Sequence, residues 1–529
     1  MSSRASFSFA PRLASALCFA LALMPSLAQA RVWTVGPAGR DYTQLSALFD
    51  ANDLAPGDIV EVDGNASYNS AKMGDDDGGT PAAPVTVRWK RVAGATRPVL
   101  QGGTHTFKFE QSNHVVFEGF EVRGGTSTCL FSEANDVTVR DVVVHACPSH
   151  GILGADQNSG SFTLEYSEIH DSGAGTTRHA IYMQSDEIAF PGSVFRMRFN
   201  YVHSGNGGNL LKVRHERSEI HSNWFEGAIY QEMELIGPDC ETQQAGWTRA
   251  TKREDVELLN NVIVHTSASW PNAIRVGGDL NGASDGRLRM VGNTIVFDRP
   301  GNATAVYVQL GMGSVEMHNN AIYQTGGGAP AILRENLTPD TPFCAPFVTA
   351  PWSGARSVFG TRNWVQSAAT FVPPEWTGTV VGSDPGFRDI AARDLRPLAS
   401  SPLRNAGINR PPSPAAFPMP WSLPVVTFDP PLRAKMTVAD ETPRIPQGFF
   451  TVDIGALEEV SADTLIGPFL LPGSMPRVRP RPAATNVSAP STSAPPTSAP
   501  APQPAATPAR AIPRRCVRGG CLRRGNADR

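Results

Sequence analysis

Hydrophobic residues recur in an eight-residue pattern along the middle of the chain. The first, third and eighth positions are apolar, and this alternation with a period of two predicts strands. Successive segments start 22, 25, 33, 23, 38, 32 and 27 residues apart. Repeats of this length predict a solenoid or a propeller, and the shortest units are too short for a four-stranded propeller blade. The segments begin at Val115, Val137, Phe162, Phe195, Ser218, Val256, Leu288 and Val315.

Asparagine occupies the sixth position in five of the eight segments. Asparagine tolerates left-handed backbone at a turn, and stacked asparagine amides can hydrogen-bond from one coil to the next. The pattern therefore predicts a β-helix in which each segment forms a strand and a bend. The five residues are Asn200, Asn223, Asn261, Asn293 and Asn320.

A second short strand is predicted after most segments, at 151–155, 180–184, 210–214, 232–236, 273–277 and 305–309. Its second and fourth residues are mostly apolar and should face the core, so the first, third and fifth should face outwards. Stacking the coils about 4.8 Å apart brings the third positions into one outward row. That row holds Leu153, Tyr182, Lys212, Glu234, Arg275 and Tyr307.

Polar and aromatic residues are predicted to flank this row and to form a groove with it. Cations and carboxylates beside aromatic rings suit a charged glycan, because sugars stack on such rings and Arg or Lys pairs with uronate carboxylates. A purely structural ladder of opposite charges on adjacent strands is the alternative. The flanking residues are Gln184, Arg214, Gln309, Glu232, His179, Trp247 and Trp270.

The first 30 of the 529 residues predict a secretory signal peptide. Arg4 and Arg12 precede an apolar run that is too short for an ordinary transmembrane helix, and Ala28-Gln29-Ala30 forms a cleavage motif. The mature chain should begin near Arg31, and no later stretch is long and apolar enough to span a bilayer. The formal net charge of -3 gives little electrostatic case for nucleic acid.

Composition divides the exported chain into a folded part, 31–471, and a tail, 472–529. The tail is rich in Pro, Ala, Ser and Thr and should be disordered. Its basic end could contact an acidic polymer of the cell envelope or could simply be solvated. We expect a monomer. Six cysteines remain after leader removal, and an even count in an exported protein suggests disulfides. The candidate pairs are Cys129 with Cys147, Cys240 with Cys344, and Cys516 with Cys521.

Residues 31–460 resemble the secreted right-handed parallel β-helix proteins of the pectate-lyase-like superfamily. The resemblance rests on "YTQLSALFDANDLAPGDIVEV" as a cap helix and first strand, on "GGTPAAPVTVRWKRVAGATRPVLQGG" as first coils, on the asparagine repeat, and on "DPGFRDIAARDLRPLASSPLRNAG" as a closing segment. It implies an all-β right-handed parallel β-helix with an N-terminal cap helix. It also implies a polysaccharide lyase acting on a uronic-acid polymer.

β-Elimination needs a cation that neutralises the C6 carboxylate and a base that removes the acidified H5. Arg214 and Arg275 are the candidate neutralising groups. Lys212 is the candidate base, because neighbouring cations can lower the pKa of an amine. The rival bases or acids are Tyr182, His179 and Tyr307.

The resemblance also implies Ca²⁺, because lyases of this kind often hold it with carboxylates; Glu232 and Glu234 could be its ligands. On this register, however, Arg214 and Ile236 stand where the calcium-dependent alginate and chondroitin lyases have lysine and arginine. Two alternatives stay open. One is a glycoside hydrolase that uses Glu232 and Glu234, whose spacing of about 6.6 Å is at the short end of the inverting range. The other is a glycan-binding or adhesive β-helix without catalysis.

Overall fold

The computed structural model describes residues 30–237, 253–278, 284–337, 350–442, 444 and 452–459. The predicted signal peptide, the predicted tail, Trp247, and the cysteine pairs 240/344 and 516/521 fall outside these residues. Across the described ranges, no helix is long and apolar enough to cross a membrane.

Three long sheets, in which every strand pair is parallel, contain all of the described strands except β35 and β36. Successive strands rotate through sheets A, B and C, so each coil of the chain contributes one strand to each sheet. The protein is a parallel β-helix, as the sequence predicts.

Sheet A has twelve strands, and the eight predicted segments form eight consecutive strands within it. It consists of β1 (Val32–Val35), β2 (Ile59–Asp63), β5 (Val85–Lys90), β8 (Val115–Glu118), β11 (Val137–Arg140), β14 (Phe162–Glu165), β17 (Phe195–Arg198), β20 (Arg217–His221), β23 (Asp255–Leu259), β26 (Arg287–Val291), β29 (Ser314–His318) and β32 (Val358–Thr361).

Sheet B also has twelve strands and follows sheet A after a short bend. It consists of β3 (Ser67–Asn69), β6 (Val99–Gln101), β9 (Glu121–Arg123), β12 (Val143–His145), β15 (Glu168–His170), β18 (Tyr201–His203), β21 (Trp224–Glu226), β24 (Val262–His265), β27 (Thr294–Phe297), β30 (Ala321–Gln324), β33 (Trp364–Gln366) and β34 (Val380–Gly382).

Sheet C has ten strands and contains the six predicted second strands. It consists of β4 (Ala71–Met73), β7 (His105–Glu110), β10 (Thr128–Glu133), β13 (His150–Gly154), β16 (Ile181–Gln184), β19 (Leu211–Arg214), β22 (Met233–Ile236), β25 (Asn272–Gly277), β28 (Thr304–Val308) and β31 (Ala331–Glu335). Antiparallel β35 (Phe387–Asp389) and β36 (Asp394–Pro397) belong to the predicted closing segment, and a short 3₁₀ helix spans Val438–Asp440.

The N-terminal end is covered by the predicted cap helix, α1 (Leu45–Phe49). Its apolar residues Leu45, Leu48 and Phe49 are buried against the first coils, and the Phe49 ring lies 6.2 Å from that of Phe107. The helix therefore covers apolar surface that the end of a solenoid would otherwise expose.

The predicted asparagine ladder is present, and it is longer than the sequence pattern indicates. Each side-chain oxygen accepts hydrogen bonds from the backbone and side-chain N–H groups of the preceding asparagine, at 2.9–3.0 Å for Asn223, Asn261, Asn293 and Asn320. Asn363, at the sixth position of an unrecognised segment, continues the ladder from Asn320.

The left-handed turn does not lie at the ladder asparagines. It lies one residue earlier, where Phe199, Ser222, Asn260 and Asn319 have φ between 53° and 60°. The prediction that the asparagines occupy left-handed backbone is therefore wrong, and their recurrence is explained by the stacked amides.

The predicted disulfide between Cys129 and Cys147 is confirmed, and both residues are buried. It joins β10 of sheet C to a residue two positions beyond β12 of sheet B in the following coil. The bond therefore fastens neighbouring coils near the N-terminal half of sheet C.

Candidate functional site

The predicted third positions lie in one row across sheet C. The pairing register places Tyr182 beside Lys212, Lys212 beside Glu234, and Glu234 beside Arg275, which in turn lies beside Tyr307. We call these five residues the outward row. Leu153 adjoins it at Tyr182, as predicted.

Glu234 is the centre of the outward row. Its Oε1 lies 2.9 Å from Nη2 of Arg275, its Oε2 lies 3.6 Å from Nζ of Lys212, and Nδ2 of Asn209 donates to Oε2 at 2.6 Å. Burial alone would raise the pKa of Glu234, but Arg275, Lys212 and Arg214, together with the Asn209 hydrogen bond, outweigh it and lower the pKa. The carboxylate is therefore ionised at neutral pH and holds two cations.

Lys212 and Arg214 both contact Tyr182, but in different ways. The Lys212 ammonium lies 5.0 Å from the centre of the Tyr182 ring, and Nε of Arg214 donates to the Tyr182 hydroxyl at 3.1 Å. Arg214 also donates to the carbonyl of Gly237. Arg214 is only 3% exposed, so the expectation that it faces the groove openly is wrong. Its guanidinium is committed to protein acceptors and orients the phenol.

A ladder of side-chain acceptors runs beside the outward row. The backbone N–H of His179 donates to Nδ1 of His150 at 3.1 Å, and that of Asn209 donates to Nδ1 of His179 at 3.0 Å. The backbone N–H of Gln231 then donates to Oδ1 of Asn209 at 3.2 Å. This leaves the Asn209 amide pointing its N–H at Glu234. Gly208 has φ of +55° here, and a Cβ on it would lie 2.5 Å from Nδ1 of His179.

This row of side-chain acceptors determines which ring nitrogen of His150 and of His179 carries the proton. Because a backbone N–H can only donate, Nδ1 of His150 and of His179 is an acceptor, and the neutral ring carries its proton on Nε2. Burial and the nearby cations Arg178 and Lys212 lower the pKa of His150 to about 4, and burial with Lys212 lowers the pKa of His179. His179 is thus a neutral donor at Nε2, which argues against its predicted use as a base.

The free energy of unfolding should fall as pH falls between about 6.5 and about 4. An unfolded histidine takes up a proton near pH 6.5, whereas folded His150 resists protonation until about pH 4. The unfolded state therefore binds more protons in this window. The free energy of unfolding, measured by urea denaturation, should change less steeply with pH across this window in His150→Gln than in the wild type. The amide oxygen of the glutamine can still accept from the N–H of His179. An unchanged slope would contradict the assignment.

Glu232 does not lie on the groove. Its side chain is fully buried, and its Oε2 is 2.5 Å from Nδ1 of His265. The prediction that the first strand position faces outwards is wrong here, because Glu232 precedes β22 and its side chain enters the bend beside β24.

The remaining predicted contacts are dispersed. Gln184 pairs with Arg214 in register, and Tyr307 and Gln309 are partly exposed at the far end of the row. Trp270 is 36% exposed and precedes the strand of Arg275. Asn209 was not predicted. The signal was its place in "GGNLLKVR", three residues before Lys212, just as His150 and His179 stand three residues before the third positions of their own strands.

The carboxylates do not fit a calcium site. Ca²⁺ binds six to eight oxygen ligands, whereas Glu232 is paired with His265 and Glu234 with two cations. Within the described ranges, no group of three or more His, Cys, Asp or Glu residues could hold a metal. The expectation that Glu232 and Glu234 are ligands finds no support in this geometry.

Comparison with solved structures gives weak overall matches to other proteins. The chain is similar to pectate lyase Pel9A (12% identity, 81% of this chain and 96% of that chain, TM-score 0.39). It is also similar to an alginate lyase from Paenibacillus sp. strain FPU-7 (16%, 58% and 95%, TM-score 0.35) and to a PL6 polysaccharide lyase from Pseudopedobacter saltans (10%, 63% and 88%, TM-score 0.34). No family model and no curated protein matches the chain. The fold assignment rests on the three parallel sheets themselves.

Proposed function

We propose that this chain is a secreted enzyme that binds an acidic polysaccharide across sheet C and cleaves it by β-elimination at the outward row. One observation carries the proposal: three cations, Lys212, Arg214 and Arg275, act on the carboxylate of Glu234 beside the Tyr182 phenol. Cationic side chains clustered beside a phenol suit a uronic-acid residue, which brings both a carboxylate and an acidic C–H.

Arg275 and Lys212 are the groups that would bind the C6 carboxylate of the substrate. Both side chains are partly exposed, at 18% and 15%, and Glu234 between them fixes their positions. Charge neutralisation acidifies H5, so the base can remove it. The C5–H electrons then form the C4–C5 double bond, the bond from C4 to the glycosidic oxygen breaks, and that oxygen takes a proton.

Tyr182 is the better candidate for the base. An amine must be neutral to accept a proton, and the ion pair of Lys212 with Glu234 favours its ammonium form. The guanidinium of Arg214 donates to the Tyr182 oxygen, and such a bond favours the phenolate. Lys212 then serves as the acid that protonates the leaving oxygen, which reverses the role predicted from the sequence.

The hydrolase alternative is disfavoured by the two carboxylates. A glycosidase needs one carboxylic acid that keeps its proton near neutral pH, and it needs both groups on one cleft. The pKa of Glu234 is lowered, and Glu232 is enclosed against His265.

Export near Ala30, an acidic-polymer partner for the basic tail, and a monomeric state belong to the same proposal. The leader motif supports export, and the tail composition supports an acidic-polymer partner.

Incubation with alginate and polygalacturonate, read at the absorbance of the new double bond, tests the proposed reaction. Wild-type chain should generate absorbance, and Arg275→Gln should lower the initial rate by about 100-fold or more because the developing charge loses a stabilising cation. Chelator should leave the rate unchanged, given the poor calcium fit. Arg140→Gln serves as the matched control, because Arg140 lies on β11 of sheet A and its Nε donates to Glu118 at 2.8 Å in a comparable ion pair. New reducing ends without absorbance would favour a hydrolase, and binding without either product would favour an adhesive β-helix.

A further inference from the structure

A buried ion pair lies next to the outward row and takes no part in the proposed chemistry. The side chains of Glu232 and His265 are both fully buried, and their 2.5 Å contact joins Oε2 to Nδ1. Nε2 of His265 lies 2.7 Å from the carbonyl of Trp270, which can only accept, so this nitrogen carries a proton. The other carboxylate oxygen accepts from the backbone N–H of Ala228 at 3.3 Å.

The pair ties together two loops that lead into neighbouring strands of sheet C. Residues 228–231 lead into β22, which carries Glu234, and residues 266–271 lead into β25, which carries Arg275. Oγ of Ser267 donates to the carbonyl of Ile229 at 2.7 Å and accepts from the N–H of Trp270 at 3.2 Å. The ion pair and Ser267 therefore hold the two loops at a fixed separation.

Each loop carries an aromatic ring at its outer end. The Tyr230 and Trp270 rings are 4.9 Å apart at 61°, in an edge-to-face arrangement. Trp270 is 36% exposed, and the adjacent Ile229 is 47% exposed. We call Tyr230 and Trp270 the aromatic pair. It lies where the chain enters the two strands that carry Glu234 and Arg275, at the edge of the outward row.

Stability alone does not account for this arrangement. A buried ion pair often contributes no more stability than apolar residues of the same size, and an exposed indole loses the benefit of burial. Burial lowers the pKa of His265, but Glu232 outweighs it and raises the pKa, which favours the imidazolium. An ionic bridge does give directional contacts, which fix the Trp270 carbonyl and, through the rigid Trp270-Pro271 step, the start of β25.

We propose that the aromatic pair binds the apolar face of a sugar ring of the acidic polysaccharide, next to the residue held by Arg275, and that Glu232 and His265 are positioning residues for it. This inference rests on the proposed function. Aromatic rings stack on the C–H face of a sugar and do not read its charge. The aromatic pair would thus recognise the ring while the outward row recognises the carboxylate.

Fluorine NMR of chain labelled with 5-fluorotryptophan tests the positioning without relying on activity. Trp270→Phe assigns the Trp270 resonance. Glu232→Gln should shift or broaden that resonance, and so should His265→Gln. The resonance of Trp421, which follows β36 and packs 3.9 Å from the guanidinium of Arg217, should stay in place. Adding alginate or polygalacturonate oligosaccharides should perturb Trp270 in the wild type. If neither substitution moves Trp270, the positioning role is overturned.

Kinetics separate this inference from the proposed function. Trp270→Ala should raise KM by about 5-fold with kcat little changed, and Glu232→Gln should raise KM in the same direction, with recovery in Glu232→Asp. The KM change for Trp270→Ala should be the same at low and high salt, whereas that for Arg275→Gln should shrink as salt screens it. Trp421→Phe is the matched control. An unaltered KM in a Trp270→Ala variant that still cleaves the polymer would overturn the sugar-binding role of the aromatic pair and leave the proposed function standing. Absence of cleavage by the wild type would overturn the proposed function. In that case, a shift of the Trp270 resonance on adding oligosaccharide would still report binding at the aromatic pair.

Discussion

Tyr182→Phe is expected to lower kcat by about 10²- to 10⁴-fold, the loss typical of a missing general acid or base. The substitution removes one oxygen, and the ring that packs near Lys212 at 5.0 Å remains. Binding of the substrate carboxylate by Arg275 is unaffected, so KM should change little. The measurement is the initial rate of double-bond absorbance on the polymer that the wild-type chain cleaves.

Tyr323→Phe is the matched control for this experiment. Tyr323 lies on β30 of sheet B, where its ring packs 6.3 Å from that of Trp364, and it has no place in the outward row. Its rate should stay within about two-fold of wild type. A Tyr182→Phe variant that retains the wild-type rate would return the base to Lys212, and Lys212→Met would then carry the large loss instead.

Arg214→Lys is expected to lower kcat, but by less than Tyr182→Phe does. A lysine keeps the charge, but it cannot donate simultaneously to the Tyr182 hydroxyl and to the Gly237 carbonyl with the geometry of a guanidinium. The contrast between the two variants distinguishes the reacting oxygen from the group that orients it.

The sequence predicts the outward row because strand alternation and coil stacking are strict geometric rules. Lys212, Glu234 and Arg275 each occupy the third residue of a segment with apolar second and fourth residues, and sheet pairing then brings them together. Nothing tertiary needs to be known for this step.

Burial of the flanking charges could not be predicted in the same way. The alternation of side chains predicts which face of the sheet a side chain projects from, but it does not predict what packs on that face. Arg214 is covered where Gly237 passes over its end, and Glu232 leaves at a bend that the 266–271 loop closes. The contact of Arg214 with Gly237 and that of Glu232 with His265 join residues 23 and 33 positions apart, with no repeated spacing.

The packing of the chain after β36 was equally hidden. This segment returns along the β-helix, where Trp421 lies under the guanidinium of Arg217 at 3.9 Å and Lys435 pairs with Asp141. Its sequence has no periodic pattern. The residues that it contacts can therefore be identified only once the folded surface of sheet A and of its bends is known.

Asn261→Ala is expected to lower the free energy of unfolding by about 3 to 5 kcal/mol, because it opens the asparagine ladder at its middle. Oδ1 of Asn261 accepts from both the N–H and Nδ2 of Asn223, each at 3.0 Å. Its Nδ2 donates to the carbonyl of Ile220 at 2.7 Å and to Oδ1 of Asn293 at 3.0 Å. Alanine leaves these buried groups without partners, and no water can reach them while the coils stay stacked.

Asn261→Ser supplies the decisive comparison in the same urea denaturation series. The chain already uses serine at one ladder position, where Oγ of Ser167 accepts from the N–H of Val142 at 3.2 Å and its N–H donates to Asn200 at 2.9 Å. Serine at position 261 can therefore replace some of the hydrogen bonds of Asn261. The decrease in the free energy of unfolding for Asn261→Ser should be about half of that for Asn261→Ala. Exposed Asn302→Ala should change stability by less than about 0.5 kcal/mol. Equal losses for serine and alanine would mean that volume, rather than hydrogen bonding from coil to coil, selects asparagine at the bend.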